Sequence, residues 1–347
     1  MELNYLELIM AKPVAVLISD VHYNLQTLDL AGKAMRMAID KSNELYVPII
    51  VAGDLHDSKA NLRAECVNAM LETFKLIKCE CYILIGNHDL INEKSCDNSL
   101  EFLDSLQDSV RLVRDFPKLA FTPVRCIAYH SDLNKLRTHL KTIPKGSIVV
   151  MHQGLKGTNA GEYYSDLTAI TPEDVAGLRV ISGHYHTRQT IDLPEGGRWD
   201  YIGNPYTLNY GEAKDPEKGY QILYDDGSLE FVPTNLRKHI VMQLNALDAI
   251  QNKGCIPPQN DDLILIKLHG TKEQLSLVTK DKVRSNIKGL TRDFRLDLIP
   301  LEQRADNSQL HQAVELTQSE QFDKLIDSLT NTSPEAKERL KSTWKSL

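Results

Sequence analysis

CYILIGNHD, residues 81–89, sets an apolar run ahead of a glycine and then asparagine, histidine and aspartate. Such a run reads as a buried strand, and a buried strand delivers whatever follows it to a fixed point at its carboxyl end. Working outward, the same pattern recurs four times. VAVLISDVH (14–22) ends in Asp20 and His22, IIVAGD (49–54) in Asp54, SIVVMH (147–152) in His152, and LRVISGHYH (178–186) in His184 and His186. Open α/β sheets keep their sites at this edge, so five strands aim polar groups at one place.

The delivered set comprises Asp20, Asp54, Asn87 and the imidazoles of His22, His88, His152, His184 and His186. These are hard oxygen and borderline nitrogen donors with no thiolate among them, which suits Mn(II), Fe or Zn(II). A structural zinc would usually take cysteines in a closed tetrahedron. The set is also too large for one ion. Two ions roughly 3.5–4 Å apart, sharing a carboxylate and a water or hydroxide, use all of it, and that arrangement clamps the attacking and leaving oxygens of a phosphate ester. Singly the motifs say less, because Asp-x-His recurs in many loops and a lone buried histidine is more often a satisfied core group. Their joint occurrence, each behind an apolar run, points to a hydrolase.

At 347 residues the chain has room for two domains or slightly more at about 150 residues each. No apolar stretch approaches the ~20 residues of a membrane span, so no membrane partner is expected. The opening MELNYLELIM carries Glu2 and Glu7 and lacks the basic flank and long apolar centre of a signal peptide. Of six cysteines, Cys79 and Cys81 stand too close for an ordinary disulfide framework and Cys66 falls on an apolar helical face. Reduced thiols in the cytoplasm are the expectation. A formal net charge of −7 gives no global nucleic-acid signature. It leaves DNA open as a partner, since divalent cations and local Lys/Arg groups can supply the positive site that phosphates need.

Strand and helix patterns alternate through the first half. Leu28, Ala31, Met35, Ala38 and Ile39 repeat at helical spacing behind Thr27 as N-cap, and Leu62, Cys66, Met70, Leu71, Phe74 and Ile77 form a second stripe behind Asn61. From about residue 119 the texture turns β-rich: LAFTPVRCIAYH, SIVVMH, LRVISGH, RWDYIG and GYQILYDDGSLEFVP read as short strands, the last a hairpin around Asp226-Gly227. The expected fold is α/β, two mixed sheets packed face to face with helices outside.

SDVH, GDLHD, GNHD, VVMHQG and SGHYH resemble, in their order, the five signatures of the calcineurin-like metallophosphoesterases. That superfamily contains protein phosphatases, nucleotidases and nucleases, so the resemblance fixes metal chemistry better than substrate. A second segment, YIGNPYTLNYGEAKDPEKGYQILYDDGSLEFVP (201–233), resembles the one that follows the last metal motif in SbcD-type DNA repair exonucleases, phage recombination subunits included. The likeness covers residues 14–235 well and the remainder loosely. It implies one ion held by Asp20, His22, Asp54 and His186 and a second by Asp54, Asn87, His152 and His184, with Asp54 the bridge. His88 would assist at the phosphate, and Asp89 would either orient His88 or cap its loop. In-line attack of a metal-bound hydroxide on a phosphodiester follows from the same resemblance. Two departures stand out: His56 where the family often has an aromatic residue, read as a packing residue before a third imidazole, and Tyr23-Asn24 where Leu-Gly is common.

Beyond Pro233-Thr234-Asn235, HIVMQL, a helix near 245–252, DLILIKLHG, a helix near 272–281 and FRLDLIPL suggest a small α/β module. The organisation read from the sequence is therefore 1–235 for the phosphoesterase domain, 236–303 for a capping module that the resemblance lays over a DNA-binding face, and 304–347 for a helical tail. Lys267, His269, Lys272, Lys280, Lys282, Arg284, Lys288, Arg292 and Arg295 give the module local positive charge, though a solvated surface reads the same way. In the tail, QLHQAVELTQ, SEQFDKLIDSLT and SPEAKERLKSTWKSL read as amphipathic helices without a core of their own. The resemblance implies that they dock on the coiled-coil base of an SbcC-type ATPase. Family members also commonly form homodimers, for which the residues mark no surface.

These readings lead to a Mn(II)-dependent DNA exonuclease and endonuclease serving recombination, repair and replication in a bacterial or phage-infected cytoplasm. Two readings stand beside it. A phosphoesterase of small nucleotides or phosphoproteins leaves the module and tail without purpose, and a decayed scaffold conflicts with an intact ligand set.

Overall fold

The computed structural model describes residues 11–59, 61–92, 97–116, 124–158, 169–215, 217–251, 254–255, 262–288, 294–301 and 337–338. A six-stranded sheet runs in the order Leu229–Pro233, Gly219–Tyr224, Pro13–Ile18, Ile49–Val51, Cys81–Leu84, Val110–Val113. Its last four strands are parallel, while Gly219–Tyr224 joins antiparallel to Pro13–Ile18 and turns back through the Gly227 hairpin. A five-stranded sheet runs Gln189–Asp192, Arg198–Tyr201, Arg179–Gly183, Ile148–His152, Val124–Ile127, parallel except at its first edge.

Alternation along one strand sets the layers. Ile148 and Val150 enter the core shared with Ile18 and Val51 of the first sheet, whereas Val149 and Met151 enter a second core with Trp199 and Leu136. A strand with period-two side chains and both faces apolar must be covered on both sides. Helices Leu28–Leu45 and Ala64–Phe74 supply that cover for the first sheet, and Leu133–Leu140 for the second. The architecture is the expected mixed sandwich with flanking helices.

Local differences have physical reasons. Thr27 stands at the N-cap of the first helix, but its hydroxyl donates to the His22 carbonyl at 2.8 Å instead of capping. That bond ties the helix start to the loop carrying His22. The second helix starts at Ala64 because Arg63 is extended, so Arg63 rather than Asn61 is the N-cap and Leu62 is left exposed outside the stripe.

A third sheet, His239–Asn245, Leu263–Gly270 and Phe294–Pro300, is covered by short helices and has its own core of Ala246, Ile266, Leu268, Leu275, Val283 and Phe294. The single helix expected near 272–281 is two, Lys272–Ser276 and Lys280–Asn286, because the extended Thr279 caps the second by accepting from the Lys282 N–H. The chain divides into two compact units, Met1–Ile299 and Pro300–Leu347. The tail helices expected at 309–347 lie outside the described residues apart from 337–338, as do the beginning of the strand expected at 119–123 and residue 292. Among the described residues, no helix is long and apolar enough to cross a membrane.

Candidate metal centre

The loops that end the parallel strands are held in unusual backbone. Asp20, His22, Asp54 and His184 have φ of 53°, 50°, 51° and 88°. L-residues rarely enter this left-handed region, and each such residue costs on the order of 1–3 kcal/mol. Neighbouring loops over-determine it: Asp20 N–H donates to the Gly53 carbonyl, His22 N–H to Asp54 and Tyr23 N–H to Leu55. Close approach explains the glycines of the signatures. A Cβ on Gly53 would lie 2.2 Å from His152 Nδ1, and one on Gly86 2.2 Å from Asp54 Oδ1.

All seven expected ligands and His88 converge at this strand edge. In one group, Asp20, His22 and His186 offer atoms within 4.8 Å of one another; in a second, Asp54, His152 and His184 do the same. Asn87 joins the second, its Oδ1 lying 2.9 Å from His184 Nδ1 and 3.1 Å from His152 Nε2. Asp54 stands between the groups, with Oδ2 3.2 Å from His152 Nε2 and 3.9 Å from His22 Nε2, while Oδ1 accepts the His88 backbone N–H at 2.8 Å.

The tautomers test whether cations fit. His152 Nδ1 donates to the Ala52 carbonyl at 2.7 Å, and His186 Nδ1 to Glu212 Oε1 at 2.8 Å. His22 Nδ1 lies 3.1 Å from Asp57 Oδ1. Fixing the proton on Nδ1 of His152 and of His186 turns their Nε2 lone pairs into the site, the usual way a carboxylate or carbonyl behind a histidine sets its ligand nitrogen. The His186 lone pair then faces His22 Nε2 at 3.2 Å, and that of His152 faces the Asn87 oxygen. Acceptors pointed at one another require positive charge between them, so the donor set fits two divalent ions that share Asp54.

Proton affinities show the same demand for positive charge. Burial would raise the Asp54 carboxyl, but His152, His22 and His88 hold it far below the carboxylate range. Burial lowers His152, yet Asp54 brings it to about 9. Glu212, which burial would raise, is held at about 2 by His186 and Lys218.

The geometry separates the alternatives left open for Asp89 and His56. Asp89 does not touch the His88 ring: its buried carboxylate accepts the His56 and Gly86 N–H groups at 2.8 and 2.9 Å, and burial with the nearby Asp54 charge raises it to about 7. Of the two expected roles it takes the loop cap, not that of a partner to the His88 ring. His88 Nδ1 instead donates to the Asp57 carbonyl at 2.9 Å. His56 is buried with Nδ1 3.3 Å from Ser99 Oγ and belongs to neither ligand group.

Sequence reasoning passed over Asp57 and Glu212. Asp57 had a signal, the second acid of GDLHD; Glu212 had none, because 26 residues separate it from His186. It sits in the short helix Tyr210–Lys214, where it also accepts from Asn204 Nδ2 and the Leu208 N–H.

The family model for calcineurin-like phosphoesterases matches residues 14–188, half of the chain, a span that includes every expected ligand. The chain is a calcineurin-like phosphoesterase. Its family is a superfamily of hydrolases. Among solved structures the phosphoesterase is similar to a dimetal phosphatase from Danio rerio, at 12% identity over 61% of this chain and 93% of that one, TM-score 0.40. GAP50, the anchor in the inner membrane complex of Plasmodium, matches at 13% identity over 65% and 85%, TM-score 0.42. Nuclease MPE of Pseudomonas putida matches at 15% identity over 63% and 87%, TM-score 0.31. No curated protein matches it by sequence.

Proposed function

We propose that this phosphoesterase is a Mn(II)-dependent DNA exonuclease and endonuclease of SbcD type, the nuclease subunit of an ATP-driven complex in recombination, repair and replication. The observation that carries the reading is the attachment of the third sheet to the wall of the metal centre. Glu212 of the segment 201–215 fixes His186, and Thr207 of the same segment accepts the His239 N–H at 2.8 Å where the third sheet begins. A small soluble ester has no use for a module built onto the ligand shell. A polymer that extends beyond the cut does, and Lys272, Lys280, Lys282, Arg284 and Arg295 are exposed on that module.

When bound, two divalent ions supply Lewis acidity and a nucleophile at neutral pH, and a mixed oxygen and imidazole set admits Mn(II). Asp20, His22, Asp54 and His186 would hold one, and Asp54, Asn87, His152 and His184 the other. His88, anchored by its Nδ1 on the Asp57 carbonyl, keeps Nε2 for the phosphate, where it neutralises charge or hands a proton to the leaving sugar oxygen. The tail beyond residue 304 is the proposed dock for the coiled-coil ATPase.

Incubation with Mn(II) and end-labelled linear duplex DNA, alongside a chromogenic phosphodiester, tests the function. Degradation of DNA is the expected outcome; hydrolysis of the small ester with DNA left whole, even beside the ATPase, would overturn it. Removal of 306–347 should abolish ATPase binding and spare the nuclease, and general unfolding of that variant would remove the docking role.

A further inference from the structure

A cleft of about 260 Å³ opens beside the metal centre, between the segment 206–207, residues 217–218 ahead of the strand Gly219–Tyr224, residues 231–233 of its hairpin partner, and the segment 234–238. Lys218, on its floor, is nearly buried and donates to the carbonyl of His186 at 3.0 Å, so the cleft lies one residue from the proposed ligand shell. None of the groups assigned to catalysis uses it.

Its charge is unbalanced. Lys218 is neutralised by Asp215 at 2.8 Å and Glu212 at 3.5 Å, and Glu217 by Arg188. Arg237 and Lys238 also line the cleft, and among the described residues neither side chain has a carboxylate partner. Arg237 Nε is buried without any hydrogen-bond acceptor. A buried charged donor without an acceptor costs free energy, and a guanidinium sharing a cleft with an ammonium suits an oxyanion such as phosphate. At about 30 Å³ per water, the cleft holds the space of several waters, enough for a phosphate group.

We infer that the Arg237–Lys238 cleft binds a backbone phosphate of the nucleic-acid strand next to the one being cut. The inference rests on the nucleic-acid reading of the substrate. It accounts for a cationic pair left without acid at the junction between the sandwich and the third sheet, where a strand leaving the metal centre would pass.

Fluorescence anisotropy of a labelled short duplex, titrated with the full chain in EDTA over a range of salt, tests it without turnover. The Arg237→Gln/Lys238→Gln variant should bind roughly tenfold more weakly, with the slope of log Kd against log salt flatter by about one to two. Arg237→Lys, which keeps the charge, should lie between; Lys238→Gln alone serves if the double variant loses its thermal transition. Equal binding by wild type and variants, or none by either, overturns the inference. Binding of inorganic phosphate by the wild type and not by the double variant, with duplex binding equal in both, would assign the cleft to free phosphate and overturn the strand contact. Failure of the wild type to cut the same duplex in Mn(II), with the binding difference intact, would sink the nuclease reading and leave the cleft standing.

Discussion

His22 and His186 set their Nε2 atoms 3.2 Å apart, and the His186 ring is turned that way by a carboxylate the sequence did not flag, Glu212. Such carboxylates act through the ligand, so Glu212→Gln should weaken metal binding about 10–100-fold. Isothermal titration with Mn(II) measures this, and unchanged affinity would reduce Glu212 to a structural role. His88→Asn should leave metal content intact and slow hydrolysis by roughly 10²-fold or more; turnover at the wild-type rate would take His88 out of the mechanism. Asp54→Ala should empty both ion sites together, because Asp54 Oδ2 lies between the two groups. Metal analysis that found one site full would refute the bridge. The candidate ligands were legible because each follows its strand within a few residues. Glu212 was not, because it meets His186 only through space.

Elements were legible where spacing alone forms them and blurred where capping decides. The helix Leu28–Leu45 follows the apolar repeat, with Leu30, Ala31, Ala34, Met35, Ala38 and Ile39 buried on one face. Its start was legible too, but not the use made of Thr27, which depends on where the His22 carbonyl stands. The turn Pro172–Val175 carries a capping box in which Asp174 accepts the Thr171 N–H at 2.9 Å and also meets Arg137 Nε at 2.9 Å. Burial would raise the Asp174 carboxyl, yet these partners lower it. A carboxyl whose folded pKa is depressed stabilises the fold above its unfolded value of about 3.9, and that contribution is lost as pH falls through the folded value. Asp174→Ala should therefore be about 1 kcal/mol less stable at neutral pH, with the gap closing in acid. Urea denaturation of both proteins at pH 7 and pH 3 checks it, and a gap that widened in acid would reverse the assignment.

At the scale of the molecule, three cores divide the labour among the described residues: one between the sheets, one outside the second sheet, one inside the third. Phe294 fills the third, with Lys280 and Arg284 over its ring at 5.2 and 5.8 Å. Phe294→Ala should cost about 3–5 kcal/mol locally. Hydrogen exchange should quicken across His239–Asn245 and Leu263–Gly270 while the parallel strands at the metal centre keep their protection; loosening of both together would join the cores into one cooperative unit. By itself the sequence determined the strands, the candidate ligands at their ends and the mixed sandwich that must cover them, because side-chain period and strand length are local properties of the chain. Only the tertiary structure decided which nitrogen of His152 and of His186 faces the candidate centre, that Asp89 caps a loop while Glu212 holds the His186 ring, and that Arg237 and Lys238 share a cleft with no carboxylate partner for either side chain among the described residues. Those outcomes depend on which distant groups come within hydrogen-bond distance, and distance through space is not encoded in spacing along the chain.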